Sequence, residues 1–297
     1  MPNLKNIRSR ISSSGQTRKI TSAMKMISAV KLRKSQDKLV NLRPYAEKLK
    51  DIVLHINSML NEKTKINSPY IEKREVKKVL ILAITSDRGL CGGYNTGIMK
   101  EAINLVVDKH SEHYGSGDID FYIIGKKGVK IAKELGFNIK HSKIEEIDDI
   151  DFGKSKEIAN ELMGIFEKNT YQKVYLVYSK FKNSATNIPT HELLLPVDPE
   201  PPHTAKALSS HKDDYIFEPS IHKIAEELIP LLIYNRVYVA FCNAQSSENG
   251  ARMTSMYQAT ENADDLIDKL NLTYNKLRQA AITNEILEVS SGAESLK

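Results

Sequence analysis

Thr85-Ser-Asp-Arg-Gly-Leu-Cys-Gly-Gly93 is the stretch whose residue types and spacing come nearest to chemistry. It follows an apolar run and opens a helical pattern, the place where α/β proteins turn backbone N–H groups toward a phosphate. Gly92 and Gly97 even have the Gly-x-x-x-x-Gly spacing of a phosphate-binding loop. Ile98 and Met99 follow, however, where such a loop needs Lys and Ser/Thr to reach phosphate and magnesium, and no Gly-x-Gly-x-x-Gly occurs. A structural turn is the better reading. His110 and His113 lie near a helix end without carboxylate or thiol companions, so exposure is expected rather than metal binding. Cys91 and Cys242 are isolated; without CxxC spacing they point to a reducing compartment and against zinc. No Ser/His/Asp or Cys/His set suggests a nucleophile. The expectation is no catalytic residue, no cofactor and no metal.

The elements around these residues fall into three regions. Eleven of the fourteen glycines lie between Gly89 and Gly164, which leaves the two ends of the chain nearly glycine-free, as long helices require. In the middle, 78–85 reads as a buried strand, then helix 96–110, strand 119–125, helix 128–135, helix 155–168, strand 173–179 and an edge strand over 188–197. Strand–helix alternation of this kind implies a Rossmann-like, mostly parallel sheet covered by helices. The linking segments are 61–77 and the Pro-rich 198–219, with Pro219-Ser220 as the start of the second long helix. Pro44 and Pro230 should kink their helices rather than end them.

At the ends the apolar pattern changes period. Leu32, Ser35, Leu39, Leu42, Ala46, Leu49, Val53, Ile56 and Leu60 alternate steps of three and four. Met253, Met256, Thr260, Ala263, Ile267, Leu270, Tyr274, Leu277 and Ala281 do the same near the other end. A stripe every 3.5 residues stays on one face only if two helices supercoil around each other. The fold class is therefore α/β plus a long antiparallel α-helical coiled coil, with the sheet domain inserted between N- and C-terminal helices. Its boundaries are 1–60 for the N-terminal helix, 76–197 for the α/β domain, 198–219 for a linker, and 220–291 for the C-terminal helix, which pairs with 1–60. At 1.5 Å per residue, helices over about 3–55 and 220–289 extend roughly 80 and 105 Å.

Charge is placed unevenly along this plan. The first 36 residues hold nine Lys/Arg and no acid, and residues 1–57 balance at +10, which leaves −4 of the net +6 for residues 58–297. Residues 221–297 balance at −3, so opposite charge favours pairing of the two end helices. An acid-free, Ser- and Arg-bearing start also has the composition of a transit peptide, but the helical pattern runs unbroken into the Leu32–Leu60 stripe. Basic helical arms can bind nucleic acid, although a partner-facing helix surface is the simpler reading. Mean hydropathy is −0.38 and no apolar run is long enough to span a bilayer.

Three stretches carry a resemblance to the γ subunit of bacterial F-type ATP synthase. The first is Lys19 to Lys34 with Arg43-Pro-Tyr-Ala-Glu47, the second Ser86 to Gly93, and the third Tyr274 to Glu285 with Glu288 through Gly292-Ala293. The resemblance spans essentially the whole chain. It implies a non-catalytic rotor shaft that couples proton-driven rotation of the membrane ring to conformational cycling of the catalytic β subunits. The implied partners are the hexameric ring of α and β subunits, the ε subunit and the rotor ring of c subunits, with no nucleic acid and with membrane association only through the complex. It also implies that Met24, Lys25, Arg33 and Lys34 face acidic loops of the β subunits, and that Arg252, Gln279 and Thr283 make polar contacts to the same subunits. No cysteine stands where plant-type relatives carry a regulatory dithiol, so thiol switching is not expected. The Met1-Pro2 start fits a bacterial protein better than an organellar precursor, and the resemblance then implies a peripheral place on the cytoplasmic face of the inner membrane. Rival readings are a nucleotide-dependent α/β enzyme with coiled-coil arms and a basic coiled-coil nucleic-acid-binding protein.

Overall fold

The computed structural model describes residues 4–59, 68–72, 74–110, 117–144, 150–184, 186–197, 218 and 220–294. The expected linker over 198–219, Pro219 itself, His113 and Leu60 therefore fall wholly or largely outside the described residues. The chain divides into two compact units, Val30–Ala251 and Met1–Ala29 with Arg252–Lys297. The divisions fall inside the two longest helices, α1 (Leu4–Met59) and α5 (Ile221–Glu294).

The larger unit is built on a five-stranded sheet in the order β3-β2-β1-β4-β5. Its strands are β1 (Val79–Ile84), β2 (Ile119–Ile124), β3 (Ile139–Lys143), β4 (Lys173–Phe181) and β5 (Asn187–Leu195). All neighbours pair in parallel except β5, which runs antiparallel to β4 at the edge. The helices between strands are α2 (Tyr94–His110), α3 (Lys126–Glu134) and α4 (Phe152–Glu167). β1 is apolar throughout because both faces of the sheet are covered. Leu80, Leu82 and Ile84 point into one core with Leu49 and Val53 of α1, Leu162 and Phe166 of α4, and Ile233 and Phe241 of α5. Val79, Ile81 and Ala83 alternate into the other, with Ile98, Met99 and Leu105 of α2 and Ala132 of α3. Each such large side chain contributes about 1.5–3 kcal/mol by leaving water.

β3 is the strand that apolar runs do not reveal. Three of its five residues are exposed, and it holds its place at the sheet edge by pairing with β2 rather than by burial. Where β2 turns into α3 the backbone passes close to Thr85, whose hydroxyl donates to the carbonyl oxygen of Ile124 at 2.6 Å and accepts from Gly128 N–H at 3.1 Å. A Cβ at Gly125 or Gly128 would collide with Thr85, and Gly125 has φ of 101°.

The helices α1 and α5 run through Pro44 and Pro230 without ending. Ser220 starts α5, its hydroxyl accepting from Lys223 N–H at 3.4 Å. Between 240 and 250 α5 is buried at every position but Gln245, and it carries polar residues there. They tie it to the sheet: Asn243 Oδ1 accepts from Phe181 N–H at 3.2 Å and the Ser247 hydroxyl donates to Ser179 carbonyl at 2.9 Å, while Tyr94 of α2 donates to Ala244 carbonyl at 3.1 Å. These bonds fix the helix against sliding along the sheet, which burial alone does not.

Candidate partner-contact surface

The glycine-rich turn after β1 is braced by its own side chains. Ser86 N–H is taken by Asn95 Oδ1 at 2.9 Å, the Ser86 hydroxyl donates to Arg88 carbonyl at 2.7 Å, and Asn95 Nδ2 donates to the Ser86 hydroxyl at 2.8 Å and toward Cys91 Sγ at 3.3 Å. These bonds brace the turn, in which Leu90 has φ of 64° and Gly92 φ of 57°. His110 is buried, in contrast to the exposure expected of it, because its Nε2 pairs with the Tyr175 hydroxyl at 3.1 Å under the sheet. Cys91 and Cys242 are free and buried, and burial pushes the Cys242 thiol up from its ordinary value. Among the described residues no group of His, Cys, Asp and Glu is placed to hold a metal, and no helix is long and apolar enough to cross a membrane.

The smaller unit is where side chains are arranged for a partner. Its α1 and α5 segments pair antiparallel where Arg18 to Lys25 meet Asp264 to Tyr257. Arg18 Nε lies 2.5 Å from Asp264 Oδ1, the Thr21 and Thr260 hydroxyls lie 2.8 Å apart, and Lys25 Nζ sits 5.4 Å from the Tyr257 ring centroid. On α5 the expected seam is inward: Met256, Ala263 and Leu270 are buried and the other six positions half-buried. On α1 the stripe from Leu32 to Ile56 is also buried or half-buried, but it belongs to the larger unit, where Leu49 and Val53 pack with Ile233 and Phe241; the two stripes expected to meet each other therefore do not. The α1 stripe also continues toward the N-terminus through Ile7, Ile11, Ser14, Arg18, Thr21, Lys25 and Ser28 in the same steps of three and four, all buried or half-buried except Arg18, which is exposed. That upstream half was not read as seam because five of its seven members are polar.

The apolar residues of the same segment point the other way. Ile20, Met26 and Ile27 are 60%, 63% and 59% exposed. Facing helix α5 adds exposed Tyr257, Leu266 and Leu272, and from 282 to 292 every described side chain is exposed, including Ile286, Leu287 and Val289. A shallow hollow of about 350 Å³ lined by Lys25, Met26, Ala29, Met253, Thr254 and Tyr257 breaks this surface. A helix pair whose α1 seam is largely polar while large apolar side chains of both helices face outward is built to be enclosed by something else.

The seven residues singled out from the sequence do not form one cluster. Met24 and Lys25 are half-buried beside the seam, whereas Gln279 and Thr283 are exposed one turn apart on α5, with the Thr283 hydroxyl donating to Gln279 carbonyl at 2.9 Å. Arg252 is 8% exposed, so its guanidinium is engaged within the chain. In the larger unit Arg33 and Lys34 are exposed on α1. Ile20, Met26 and Ile27 were missed, and the signal that could have found them is their position off a stripe extended back to Ile7.

Comparison with known proteins gives a consistent result. Residues 3–296 match the family described as ATP synthase. The ATP synthase gamma chain of Christiangramia forsetii is 46% identical over 296 residues, which cover 100% of this chain and 99% of the relative. That of Flavobacterium johnsoniae is 44% identical over 297 residues, again covering 100% and 99%. A chain in the central stalk and c-ring of the Tetrahymena thermophila mitochondrial ATP synthase superposes with a TM-score of 0.58 at 26% identity, covering 81% of this chain and 99% of that one. A chain of the Euglena gracilis mitochondrial ATP synthase shares the fold at 16% identity, with a TM-score of 0.65 over 99% of this chain and 94% of that one.

Proposed function

This chain belongs to the ATP synthase gamma chain family, and from that premise we propose how its surface performs the work of a rotor shaft. It is a non-catalytic subunit of the central stalk, and ATP chemistry resides in the β subunits. Its task is mechanical: to present unequal surfaces to identical catalytic subunits so that each is biased toward a different state. Only differential contact shifts such an equilibrium; a surface that touched all states equally would turn without effect.

The observation that carries this reading is the N-terminal part of α1, with Thr21, Lys25 and Ser28 turned toward α5 and Ile20, Met26 and Ile27 turned outward. Greasy, directionless contacts suit a surface that must slide within a sleeve, since they bind no fixed donor or acceptor. Polar contacts from Gln279 and Thr283, and charge from Lys25, Arg33 and Lys34 toward acidic loops of the β subunits, add the angular preference. Arg252 supports this surface from within, and Met24 lies at its edge. The partners are the α and β subunits, with the ε subunit and the c-ring at the membrane end. The complex places the chain peripherally on the cytoplasmic face of the bacterial inner membrane.

The test is reconstitution of the full chain with α and β subunits. Met26→Glu with Ile27→Glu should leave the circular dichroism of the isolated chain unchanged, because both side chains are already in water, and should abolish assembly or ATP hydrolysis. Wild-type hydrolysis by this variant complex would remove the outward apolar face from the mechanism.

A further inference from the structure

The stretch Arg43-Pro-Tyr-Ala-Glu47 carries part of the family resemblance, yet the shaft surface leaves it without a task. Arg43 and Glu47 stand on the rim of a cleft of about 300 Å³ in the larger unit, between α1, α5 and the strands β4 and β5. Its floor is buried: Leu39 comes from α1, Leu232 and Asn235 from α5, and Tyr178 from β4, with Val239 half-buried beside them. A cleft of this volume is at the small end of those that take an organic molecule.

Asn235 is 2% exposed, and its Oδ1 is sealed without a hydrogen-bond partner among the described residues. A buried amide oxygen is satisfied only when a donor reaches it, so an O–H or N–H belongs at the floor. Leu39, Leu232 and Val239 call for an apolar body above that donor. At the rim Arg43, Lys50, Lys180 and Arg236 stand against Glu47 and Glu192, a net charge of +2 among the described lining residues. Glu192 already accepts from the Tyr178 hydroxyl at 2.8 Å, and Arg236 Nη1 donates to Leu193 carbonyl at 3.4 Å, which holds that guanidinium against the sheet. Arg43, Lys50 and Lys180 are exposed, so they can turn to an anion at the mouth.

We propose that this cleft binds a small aromatic carboxylate with a hydroxyl at its far end, of the hydroxyphenylalkanoate class. The hydroxyl donates to Asn235 Oδ1, the ring lies among Leu39, Leu232 and Val239, and the carboxylate takes charge-assisted hydrogen bonds from the cations of the rim. A rigid ring holds the two polar ends apart, one at the floor and one at the mouth, with little conformational freedom to lose. A phosphate or a short dicarboxylate leaves both the apolar floor and Asn235 unmatched.

The experiment is calorimetric titration of the purified full chain with para-hydroxyphenylpropionate, phenylpropionate and para-hydroxyphenylpropanol at fixed ionic strength. The first should bind saturably, and each of the others about tenfold more weakly, having lost one polar contact. Asn235→Leu should cancel the advantage of the phenolic hydroxyl and raise the denaturant midpoint of the unliganded chain, because it removes a stranded amide. Arg43→Met and Lys180→Met should each weaken the two acids several-fold and leave the alcohol unchanged. Lys140→Met, on the exposed edge strand β3 and outside the cleft, should change nothing. Glu192→Gln keeps an oxygen for the Tyr178 hydroxyl and removes a carboxylate from the rim, so it should tighten the acids, a gain that misfolding cannot mimic. Absence of saturation, equal affinity for the two acids, or unaltered affinity in Glu192→Gln would overturn the proposal. So would a lower midpoint in Asn235→Leu, or equal losses in Lys140→Met and Lys180→Met.

Discussion

Arg252 and Gln279 are both polar residues of α5, yet they stand in opposite environments. Gln279 is exposed, so Gln279→Ala should change the stability of the isolated chain by less than about 0.5 kcal/mol. Its effect should appear in the complex, as slower ATP hydrolysis or weaker ATP-driven proton pumping in membranes carrying the variant. Arg252 is buried and engaged within the chain, so Arg252→Ala should also lower stability by about 1–3 kcal/mol, the cost of stranding buried partners. Denaturant unfolding of the two isolated variants separates these cases; equal stabilities would mean that the Arg252 guanidinium holds nothing inside the chain. Cys242 makes a second residue-level prediction. Its burial raises the thiol above its ordinary 9.0, so the unfolded chain releases this proton first as pH rises. The unfolded state then binds fewer protons than the native one, and stability falls through and above that value. Burial raises the Tyr175 phenol in the same direction from 10.0, which extends the loss to higher pH. Denaturant midpoints followed through this alkaline range should decline, and Cys242→Ala should delay the onset of the decline.

Helix α1 changes character along its length while keeping one period. From Leu32 to Ile56 its seam is mostly Leu, Val and Ile; from Ile11 to Ser28 it is mostly hydroxyl and charge. A buried Leu contributes about 1.5–3 kcal/mol, whereas a hydroxyl pair such as Thr21 with Thr260 contributes about 0.5–1.5 kcal/mol net. The smaller unit should therefore be the weaker pairing, and a Thr21→Val, Thr260→Val double-mutant cycle should show coupling in that lower range. The Arg18–Asp264 pair is 55% and 44% exposed, so solvent screening limits it to below about 1 kcal/mol. Coupling near zero between the threonines would reduce their contact to coincidence of packing. The same contrast explains what the sequence reveals of these elements. The Leu32 stripe and β1 announce themselves because apolar residues recur with a clean period. The upstream seam keeps the period but not the chemistry, and β3 has neither, since an edge strand needs only a neighbour's backbone. Ser220 as the start of α5 was readable because a cap depends on a single local side chain.

At the scale of the whole molecule, charge and apolar surface carry different amounts of information in the sequence. The excess of +10 over residues 1–57 is plain from composition, and an acidic partner for it follows directly. The outward set of Ile20, Met26 and Ile27 is not plain, because it depends on which face the opposing helix takes. These two surface properties predict different responses to salt. The attraction proposed between exposed Arg33 and Lys34 and acidic loops acts through solvent, where an ionic atmosphere at physiological strength screens beyond about 8 Å. Burial of the apolar face is not weakened by salt, and kosmotropic salts strengthen it. Association of the chain with α and β subunits should therefore slow markedly as sodium chloride is raised, while the preformed complex stays together. Stopped-flow assembly and gel filtration at the same salt concentrations measure the two separately. An assembly rate independent of salt would show that the basic helix does not steer the encounter, and dissolution of the complex at high salt would show that charge, not the outward apolar face, holds the shaft in its sleeve.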